Sequence, residues 1–440
     1  MQQVLFHIPI LKETFPPDGI PIHGFGVMLF ITFMVCVWVL ARLATKWGTN
    51  LPKERMQDLV IVVFLGGLIG ARITYMFVEG KGWKQFLRIW EGGIVLYGGI
   101  ITGMLAFLAF HHLFLKKAGV SLWKLADVAG PALALGIALG RIGCFLNGCC
   151  YGHVAPEGCR SAEFPLLTCP ARDMVVDKQA LQTPTGLTVR NASDDVQSVV
   201  EYVEPGSAAE RAGLKPGDRI VKVNGRLNGG VLVVVSEEPE AIKRATALAT
   251  EQGATIADDA EAQNRRAKFI VDDPKKAAAL KNKLNSDLLF RARVFDTDVF
   301  TDLINFWPRG HESLDLEVER NGQVVRVGPF TPKTLGLHPT QLYETVSMLL
   351  LMVFLIAFHP FRRYDGQVFT LFIVGYAIHR FLNETLRNDT EIVGIPALRM
   401  TLSQNISILM LLFALGLEVA RRAAIGRVPQ GGTATTSHKV

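Results

Sequence analysis

Ionisable side chains inside long apolar stretches are the first feature of this sequence that could do chemistry. Arg72, Arg141 and Arg380 lie in such stretches, together with the carboxylates Glu344 and Glu384. Charged groups are costly in a bilayer and usually mark a functional site where they occur there. Because guanidinium is always charged and matches phosphate with paired hydrogen bonds, three arginines at one depth predict an anion site. The anion available at that depth is a phospholipid head group.

The apolar stretches that must position these side chains predict a polytopic membrane protein. Apolar residues make up 49% of the chain, more than is typical of a soluble enzyme, and they gather in runs of about 20, enough to cross ~30 Å of hydrocarbon. The seven predicted spans are 22–41, 57–78, 93–115, 124–147, 340–359, 366–385 and 402–421. The ionisable residues, with Tyr97 and Gln404, then fall within about 10 Å of the same membrane face, at 1.5 Å per residue. A long side chain near a helix end can extend its charged group to the membrane surface, which would explain a single arginine within a span. It would not explain the whole set of charged residues at one depth.

Basic residues in the short loops predict the orientation. The loops 41–58, 111–126 and 359–365 and the C-terminal tail hold thirteen Lys and Arg, against five in the opposite short loops. The more basic side is expected to be cytoplasmic. The N-terminus would then lie outside and the C-terminus in the cytoplasm, with the long segment between spans four and five also outside.

That long segment predicts a separate domain. From 153 to 335 the chain is charged, with short alternating strands and turn residues. The segment VQSVVEYVEPGSAAERAGLKPGDRIVKVNG (196–225) predicts a strand, a short helix and a second strand ending in a tight Asn-Gly turn, and LDLEVERNGQVVRV (314–327) predicts a hairpin. Both resemble the PDZ domains of bacterial envelope proteins. The Ala-, Lys- and Glu-rich segment 236–300 is longer than a PDZ domain needs, and we expect it to be helical.

The predicted architecture is therefore an all-α membrane protein of seven transmembrane helices with an inserted, mainly β, PDZ-like domain. Its parts are a membrane domain (1–152), the insert (153–335, PDZ-like over about 185–332), a second membrane segment (336–425) and a disordered cytoplasmic tail (426–440). A PDZ-like fold predicts capture of an extended peptide as an added strand. A solvated β-domain without a ligand is the alternative.

Several ordered motifs of the membrane segments resemble the bacterial prolipoprotein diacylglyceryl transferases. They are GAR (70–72), WEGGIVLYGG (90–99), GRIGCFLNGCCYG (140–152), HPTQLYE (338–344), GYAIHRFLNETLRND (375–389) and LSQ (402–404). The resemblance covers essentially the whole membrane domain. It implies an inner-membrane enzyme that moves the diacylglyceryl group of phosphatidylglycerol to the lipobox cysteine of a prolipoprotein, without a metal or organic cofactor.

The resemblance also implies site residues. Arg141 and Arg380 match the family's essential arginines, and Glu384 matches the carboxylate one turn after the second arginine. The expected catalytic residues are Arg141, Arg380, Tyr97 and Glu384. The expected lipid-binding residues are Arg72, Arg141, Asn147, Gly98, Gly99, Gly152, Gln341, Tyr343, Glu344 and Gln404. Membrane lipids and prolipoprotein signal peptides are the expected partners, with no nucleic acid.

Four positions depart from the family pattern. Tyr97 stands where a histidine is usual, Cys144 and Cys149 replace an asparagine and a glutamate, and Phe25 replaces a tyrosine. Three explanations for the loss of the acceptor thiol's proton therefore stay open. Tyr97 or Glu384 could take the proton, or the positive field of the arginines could lower the pKa of the thiol. Glu384 has a competing role as the i,i+4 ion-pair partner of Arg380, which we favour, and we expect Tyr97 to donate a hydrogen bond.

The six cysteines raise the questions of disulfides and metal. Disulfides among Cys149, Cys150, Cys159 and Cys169 are plausible in an extracytoplasmic compartment, with no pairing fixed by the sequence. Cys144, Cys149 and Cys150 lack the C-x-x-C spacing and a matched histidine, so the sequence predicts no metal site.

A PDZ domain inserted in a membrane core also occurs in intramembrane metalloproteases. An intramembrane metalloprotease would need H-E-x-x-H, and the sole His-Glu pair, at 311–312, is followed by Ser-Leu-Asp. The protease interpretation therefore fails. A non-catalytic lipid-binding scaffold or transporter, or a diverged transferase with another acceptor, remain the alternatives.

Overall fold

A computed structural model of the chain describes residues 4–9, 20–49, 51–78, 80, 86, 95–156, 158–167, 169–192, 195–257, 266–288, 291–307, 312–387 and 400–426. The chain divides into two compact units. The first, called the helical unit, comprises 25–143 and 340–440, and the second, called the insert unit, comprises 1–24 and 144–339. The predicted tail beyond 426 lies outside the described residues.

Seven long helices correspond to the seven predicted spans. They are α1 (Gly24–Lys46), α2 (Lys53–Val78), α3 (Leu96–Phe110, continued by a wider turn to Leu115), α4 (Leu122–Asn147), α9 (Thr340–Phe358), α10 (Gln367–Glu384) and α11 (Leu402–Gly426). All except α10 are long and apolar enough to cross a membrane. The polar end of α10, which carries His379, Arg380, Asn383 and Glu384, lowers its hydropathy. A count of seven spans thus stays a prediction.

The helical unit exposes apolar side chains and buries polar ones. Phe30, Leu105, Leu350 and Leu412 are each at least 60% exposed on their helices, as expected of surfaces that face lipid. One core cluster joins α4, α9, α10 and α11 through Ala134, Leu355, Val368, Phe372, Ile373 and Ala414. Three of these helices, α4, α9 and α10, carry four of the five charged residues that the sequence singled out, and the fifth, Arg72, lies on α2.

A buried carboxylate ties α10 to α4. Asp127 of α4 is 2% exposed, and it accepts hydrogen bonds from the backbone N–H groups of Gly366 (2.8 Å) and Phe369 (3.0 Å). These amides belong to the first turn of α10, where a helix has no internal partners for its N–H groups. Asp127 therefore fixes the start of the helix that carries Arg380.

The insert unit contains the predicted PDZ-like sheet. Its strands are β3 (Leu187–Ala192), β4 (Asp195–Val203), β5 (Arg219–Val223), β6 (Arg226–Leu227), β11 (Leu314–Arg320) and β12 (Gln323–Phe330), preceded by a short β1–β2 pair (Val4–Ile8 and Ile20–His23). The order is β12-β11-β5-β4-β3, with β6 beside β5. Short helices α5 (Ala208–Arg211) and α8 (Val299–Asn305) complete it. The predicted strand–helix–strand segment and the closing hairpin are confirmed.

The segment 236–300 corrects the sequence prediction. It holds the predicted helices, α6 (Pro239–Glu251) and α7 (Pro274–Leu288), but also strands β8 (Thr255–Ala257), β9 (Arg266–Val271) and β10 (Arg293–Asp298). With β7 (Gly230–Val235) they form an antiparallel sheet of order β10-β7-β9-β8. The β-α-β-β-α-β connectivity is that of a ferredoxin-like domain. The expected helices are present, but the sequence prediction missed the three strands, because short strands that pair with distant partners leave little local signal.

Candidate active site

Glu344, near the start of α9, is the centre of a buried group of charges in the helical unit. Its side chain is 1% exposed, and its Oε2 lies 2.9 Å from Nε of Arg141 and 3.8 Å from Nη1 of Arg380. The side-chain amide of Asn383 donates to the same oxygen at 3.3 Å. Two arginines from α4 and α10 therefore share one carboxylate.

A second carboxylate extends this group to α11. Nη2 of Arg380 lies 2.8 Å from Oε2 of Glu384 and donates to Oγ of Ser403 at 2.9 Å. Oε1 of Glu384 accepts from the hydroxyl of Thr401 at 3.0 Å. We call Arg141, Glu344, Arg380, Asn383 and Glu384 the arginine–glutamate cluster.

The cluster leaves buried polar atoms without partners. Nη1 of Arg380, Oε1 of Glu344 and Nε2 of His379 are buried and have no hydrogen-bond partner among the residues that the structure describes. An unmet buried donor or acceptor costs about 1–3 kcal/mol, so such atoms call for a functional explanation. A ligand with both an anionic oxygen and a hydroxyl group would satisfy the guanidinium donor and the carboxylate acceptor together.

The other predicted residues of α9 and α11 lie close along the chain to this cluster. Gln341 is 1% exposed, and its backbone carbonyl accepts from the hydroxyl of Thr345 at 2.9 Å. The backbone carbonyl of Tyr343 accepts from the hydroxyl of Ser347. Oε1 of Gln404 accepts from the N–H of Thr401, the residue that donates to Glu384.

Arg72 and Tyr97 lie on α2 and α3. Arg72 is 4% exposed, donates from Nε to the backbone carbonyl of Phe86 at 3.2 Å and lies over the ring of Tyr75. Tyr97 is 40% exposed. The lipid-binding role expected of Arg72 and the catalytic role expected of Tyr97 stay predictions.

Gly98 and Gly99 have a packing reason in this structure. A Cβ on Gly98 would lie 2.0 Å from Oγ1 of Thr74, and one on Gly99 would lie 3.1 Å from the carbonyl of Gly67. Both glycines therefore let α3 approach α2 closely, as small residues do between membrane helices. Their expected lipid-binding role is not needed to explain them.

Asn147 and Gly152 belong to the insert unit. Asn147 is the last residue of α4, and the N–H of buried Gly152 donates to the carbonyl of His338 at 2.9 Å. This bond joins the segment after α4 to the segment before α9 within the insert unit. A lipid-binding role for either residue remains a prediction.

The three cysteines of the 140–152 segment come together. The Sγ atoms of Cys144, Cys149 and Cys150 all lie within 4.8 Å of one another. Hydrogen bonding with Cys144 and Cys150, together with burial, raises the pKa of the Cys149 thiol. All six cysteines are thiols in the structure, and burial raises the pKa of Cys169 to about 11.

Asn383, Ser403 and His379 are the site residues that sequence reasoning missed. Asn383 and His379 lie within the GYAIHRFLNETLRND segment, on either side of Arg380. Asn383 follows Arg380 by three residues, a spacing that places two side chains on one helix face. That spacing could have identified Asn383 as a site residue from the sequence. For Ser403, the sequence offers only its position next to Gln404.

Comparison with known families agrees with these motifs. The family model for prolipoprotein diacylglyceryl transferase matches residues 13–192 and 294–420, more than half of the chain. A PDZ domain model matches residues 199–227. The two matches correspond to the helical segments with their flanks and to the first part of the PDZ-like sheet.

Curated proteins named phosphatidylglycerol–prolipoprotein diacylglyceryl transferase are similar to the chain. The one from Rhodopirellula baltica is 30% identical over 219 residues, which cover 46% of this chain and 43% of that protein. Those from Clostridium tetani and Geobacillus kaustophilus are 34% and 35% identical, covering 33% and 29% of this chain and 55% and 47% of theirs. The chain thus spans about half the length of the curated relatives it matches.

Proposed function

The chain belongs to the prolipoprotein diacylglyceryl transferase family, and we propose on that premise that it transfers the diacylglyceryl group of phosphatidylglycerol to the lipobox cysteine of prolipoproteins. The observation that carries this proposal is the arginine–glutamate cluster with its unmet donor and acceptor. Phosphatidylglycerol offers both groups that the cluster calls for, a phosphate and a glycerol head group with hydroxyls.

In the proposed reaction, the acceptor cysteine attacks a glyceryl carbon as a thiolate. The new S–C bond is a thioether, the C–O bond to phosphate breaks, and the electron pair leaves with glycerol phosphate. Nη1 of Arg380 would donate to a phosphate oxygen, and Oε1 of Glu344 would accept from a head-group hydroxyl. Donors aimed at an oxygen on which charge develops lower the barrier most when they are held in place beforehand. The bonds of Arg380 to Glu384 and Ser403 supply that rigidity.

Arg141 acts on the same phosphate in this proposal. Its Nε is occupied by Glu344 at 2.9 Å, so its role is to add positive charge and to hold Glu344 in place. The geometry of Glu384 supports its role as the ion-pair partner of Arg380, because the 2.8 Å contact joins residues four apart on one helix. Tyr97 would donate a hydrogen bond to the lipid, and Arg72, Gln341, Tyr343 and Gln404 would line the lipid site.

We place the enzyme in the bacterial inner membrane, with its N-terminus and insert unit outside the cytoplasm and its C-terminus inside. The support is the excess of Lys and Arg in the 41–58, 111–126 and 359–365 loops. Lipobox cysteines would then meet the site from the outer side.

The PDZ-like sheet would bind an extended peptide. Strand β3 lies at the edge of the sheet with β4 as its sheet neighbour, and an edge strand presents backbone groups that can pair with another chain. The proposed peptide site is therefore the open edge of β3, where the peptide would add as a further strand.

Complementation tests the proposed function. The full chain would be expressed in bacteria depleted of their own transferase, and lipidation of a prolipoprotein would be followed by its mass. We expect a mass gain equal to one diacylglyceryl group on the lipobox cysteine, and none with a lipobox Cys→Ser acceptor. A chain that inserts in the membrane and binds phosphatidylglycerol without any transfer would instead support the scaffold or transporter alternative.

A further inference from the structure

A tight turn after α4 brings three cysteines together. The backbone N–H of Cys149 bonds to the carbonyl of Cys144 at 3.2 Å, and the Sγ of Cys149 also points to that carbonyl at 3.7 Å. The three Sγ atoms of Cys144, Cys149 and Cys150 lie within 4.8 Å of one another. Residues five and six positions apart would not meet on a regular helix, so the turn creates this group.

The turn is held in place from both sides. Gly148 and Cys150 have φ of 70° and 61°, and left-handed backbone is unfavourable for a residue with a side chain such as cysteine. Gly148 packs so closely that a Cβ there would lie 2.7 Å from Cβ of Cys169. Cys169 belongs to a buried cluster with Tyr151, Phe164 and Val175. A strained conformation that its surroundings enforce is typical of a functional site.

The sulfur positions suit a thiophilic cation. Zinc binds thiolates at about 2.3 Å, which places tetrahedral sulfur ligands roughly 3.8 Å apart. The Sγ–Sγ separations here, all within 4.8 Å, exceed that distance by about 1 Å at most. Among the described residues, the group has three members, and three protein ligands with one open position are the pattern of catalytic rather than structural zinc sites.

We propose that Cys144, Cys149 and Cys150 bind one Zn²⁺ as thiolates and leave its fourth coordination position for an exogenous thiol. On binding, each of the three cysteines releases one proton to solvent and forms one Zn–S bond, with no change of oxidation state. A fourth thiol that binds the metal likewise loses its proton and becomes a thiolate ligand. The sequence predicted no metal site because the C-x-x-C pattern is absent. The turn after α4 nevertheless brings the three sulfur atoms together.

The thiol that we expect at the open position is the lipobox cysteine, and this part rests on the proposed transferase function. The three-thiolate site itself does not.

Metal content of the full-length protein, purified in detergent under reducing conditions, tests the site without any substrate. We expect about one Zn²⁺ per chain in the wild type and in Cys159→Ser, which removes an exposed thiol. Cys144→Ser, Cys149→Ser and Cys150→Ser should bind Zn²⁺ at least roughly 100-fold more weakly in competition with a chromophoric chelator. Equal affinity in the three variants, or no zinc in the wild type, would overturn the proposal.

A wild-type measurement covers the case in which these variants fail to fold. Zn²⁺ should protect three of the six thiols from alkylation, and peptide mapping should identify them as Cys144, Cys149 and Cys150. Protection of other cysteines, or a disulfide within the group in protein from untreated membranes, would contradict the site.

Cobalt substitution tests the open position. The charge-transfer band of the Co²⁺ protein should change on addition of a lipobox peptide, and stay unchanged with the matching Cys→Ser peptide. No change with either peptide overturns the open position. A zinc-binding chain that fails complementation would refute the transferase function alone.

Discussion

Two buried groups of polar side chains in this molecule differ in how completely they are bonded. In the insert unit, Asp298 and Asn228 are fully buried. Asp298 accepts from the N–H of Ser198 (2.8 Å), from the side chain of Asn228 (2.9 Å) and from the N–H of Thr301 (2.9 Å). Asn228 in turn donates to the carbonyl of Ile220 and accepts from the N–H of Phe300. Every polar side-chain atom of the pair has a partner.

In the arginine–glutamate cluster the carboxylates are 1% exposed and the two arginines 13%, yet Nη1 of Arg380 and Oε1 of Glu344 have no hydrogen-bond partner among the described residues. A fully bonded buried network specifies one fold, whereas an incompletely bonded one costs stability unless a ligand completes it. The comparison separates a group that holds strands and helices together from one that, in our proposal, a substrate completes. Substitutions in the two groups should therefore change different measurements.

The largest effect is expected from Asp298→Ala in the insert unit. The change removes the cap of α8 and leaves the Ser198 N–H and one of the two N–H groups of the Asn228 amide unbonded, which should lower the free energy of unfolding of the insert by about 3 kcal/mol. Urea-dependent proteolysis of the full-length protein would measure it, with Asp315→Ala at the solvent-exposed Arg326–Asp315 pair as control. Transfer to a short lipobox peptide should stay unchanged, and loss of that transfer would break the comparison.

Arg141→Lys and Arg380→Lys should show the opposite pattern. Lysine keeps the charge but loses the forked geometry, so we expect transfer to fall at least about tenfold, or ~1.4 kcal/mol, while protein stability changes little. Arg422→Lys, at an exposed pair on α11, is the matched control. Full activity in either lysine variant would rule out the phosphate-binding role.

Tyr97→Phe tests the role of the residue that stands where the family pattern has a histidine. If Tyr97 donates a hydrogen bond to the lipid, its loss should cost about tenfold in rate without a change in the pH profile, and Tyr97→His should be active. Tyr202→Phe, an exposed tyrosine of the insert, is the control. Activity that disappears at neutral pH and returns at high pH would show that the phenolate takes the thiol proton.

Deletion of 185–332, bridged by a flexible linker, should have the smallest effect on the chemistry. The helical unit has its own core and its own charged cluster, so transfer to a short lipobox peptide should remain measurable, while transfer to intact prolipoprotein falls. A folded, membrane-inserted deletion variant that cannot react with the peptide would show that the insert is part of the active site.

Local sequence signals predicted much of the architecture. Long apolar runs predicted seven helices with ends within a few residues of those observed, because the length of such a run and the charges that end it are properties of neighbouring residues. The hairpin of β11 and β12 could also be predicted from the sequence, because an Asn-Gly pair favours the positive φ angles of a tight hairpin turn. Asn321 and Gly322 both adopt positive φ there. Arg141, Arg380, Glu344 and Glu384 were singled out because charge is rare in apolar stretches.

Tertiary structure decided which of these residues meet. Glu344 could pair with Arg141 only after α9 packed beside α4, and Asn383 and Ser403 joined them through the packing of α10 and α11. The sequence also failed to predict the strands β8, β9 and β10 and the group of three thiols. Strand pairing and turn geometry are set by partners distant in the chain or by backbone angles, neither of which residue spacing encodes.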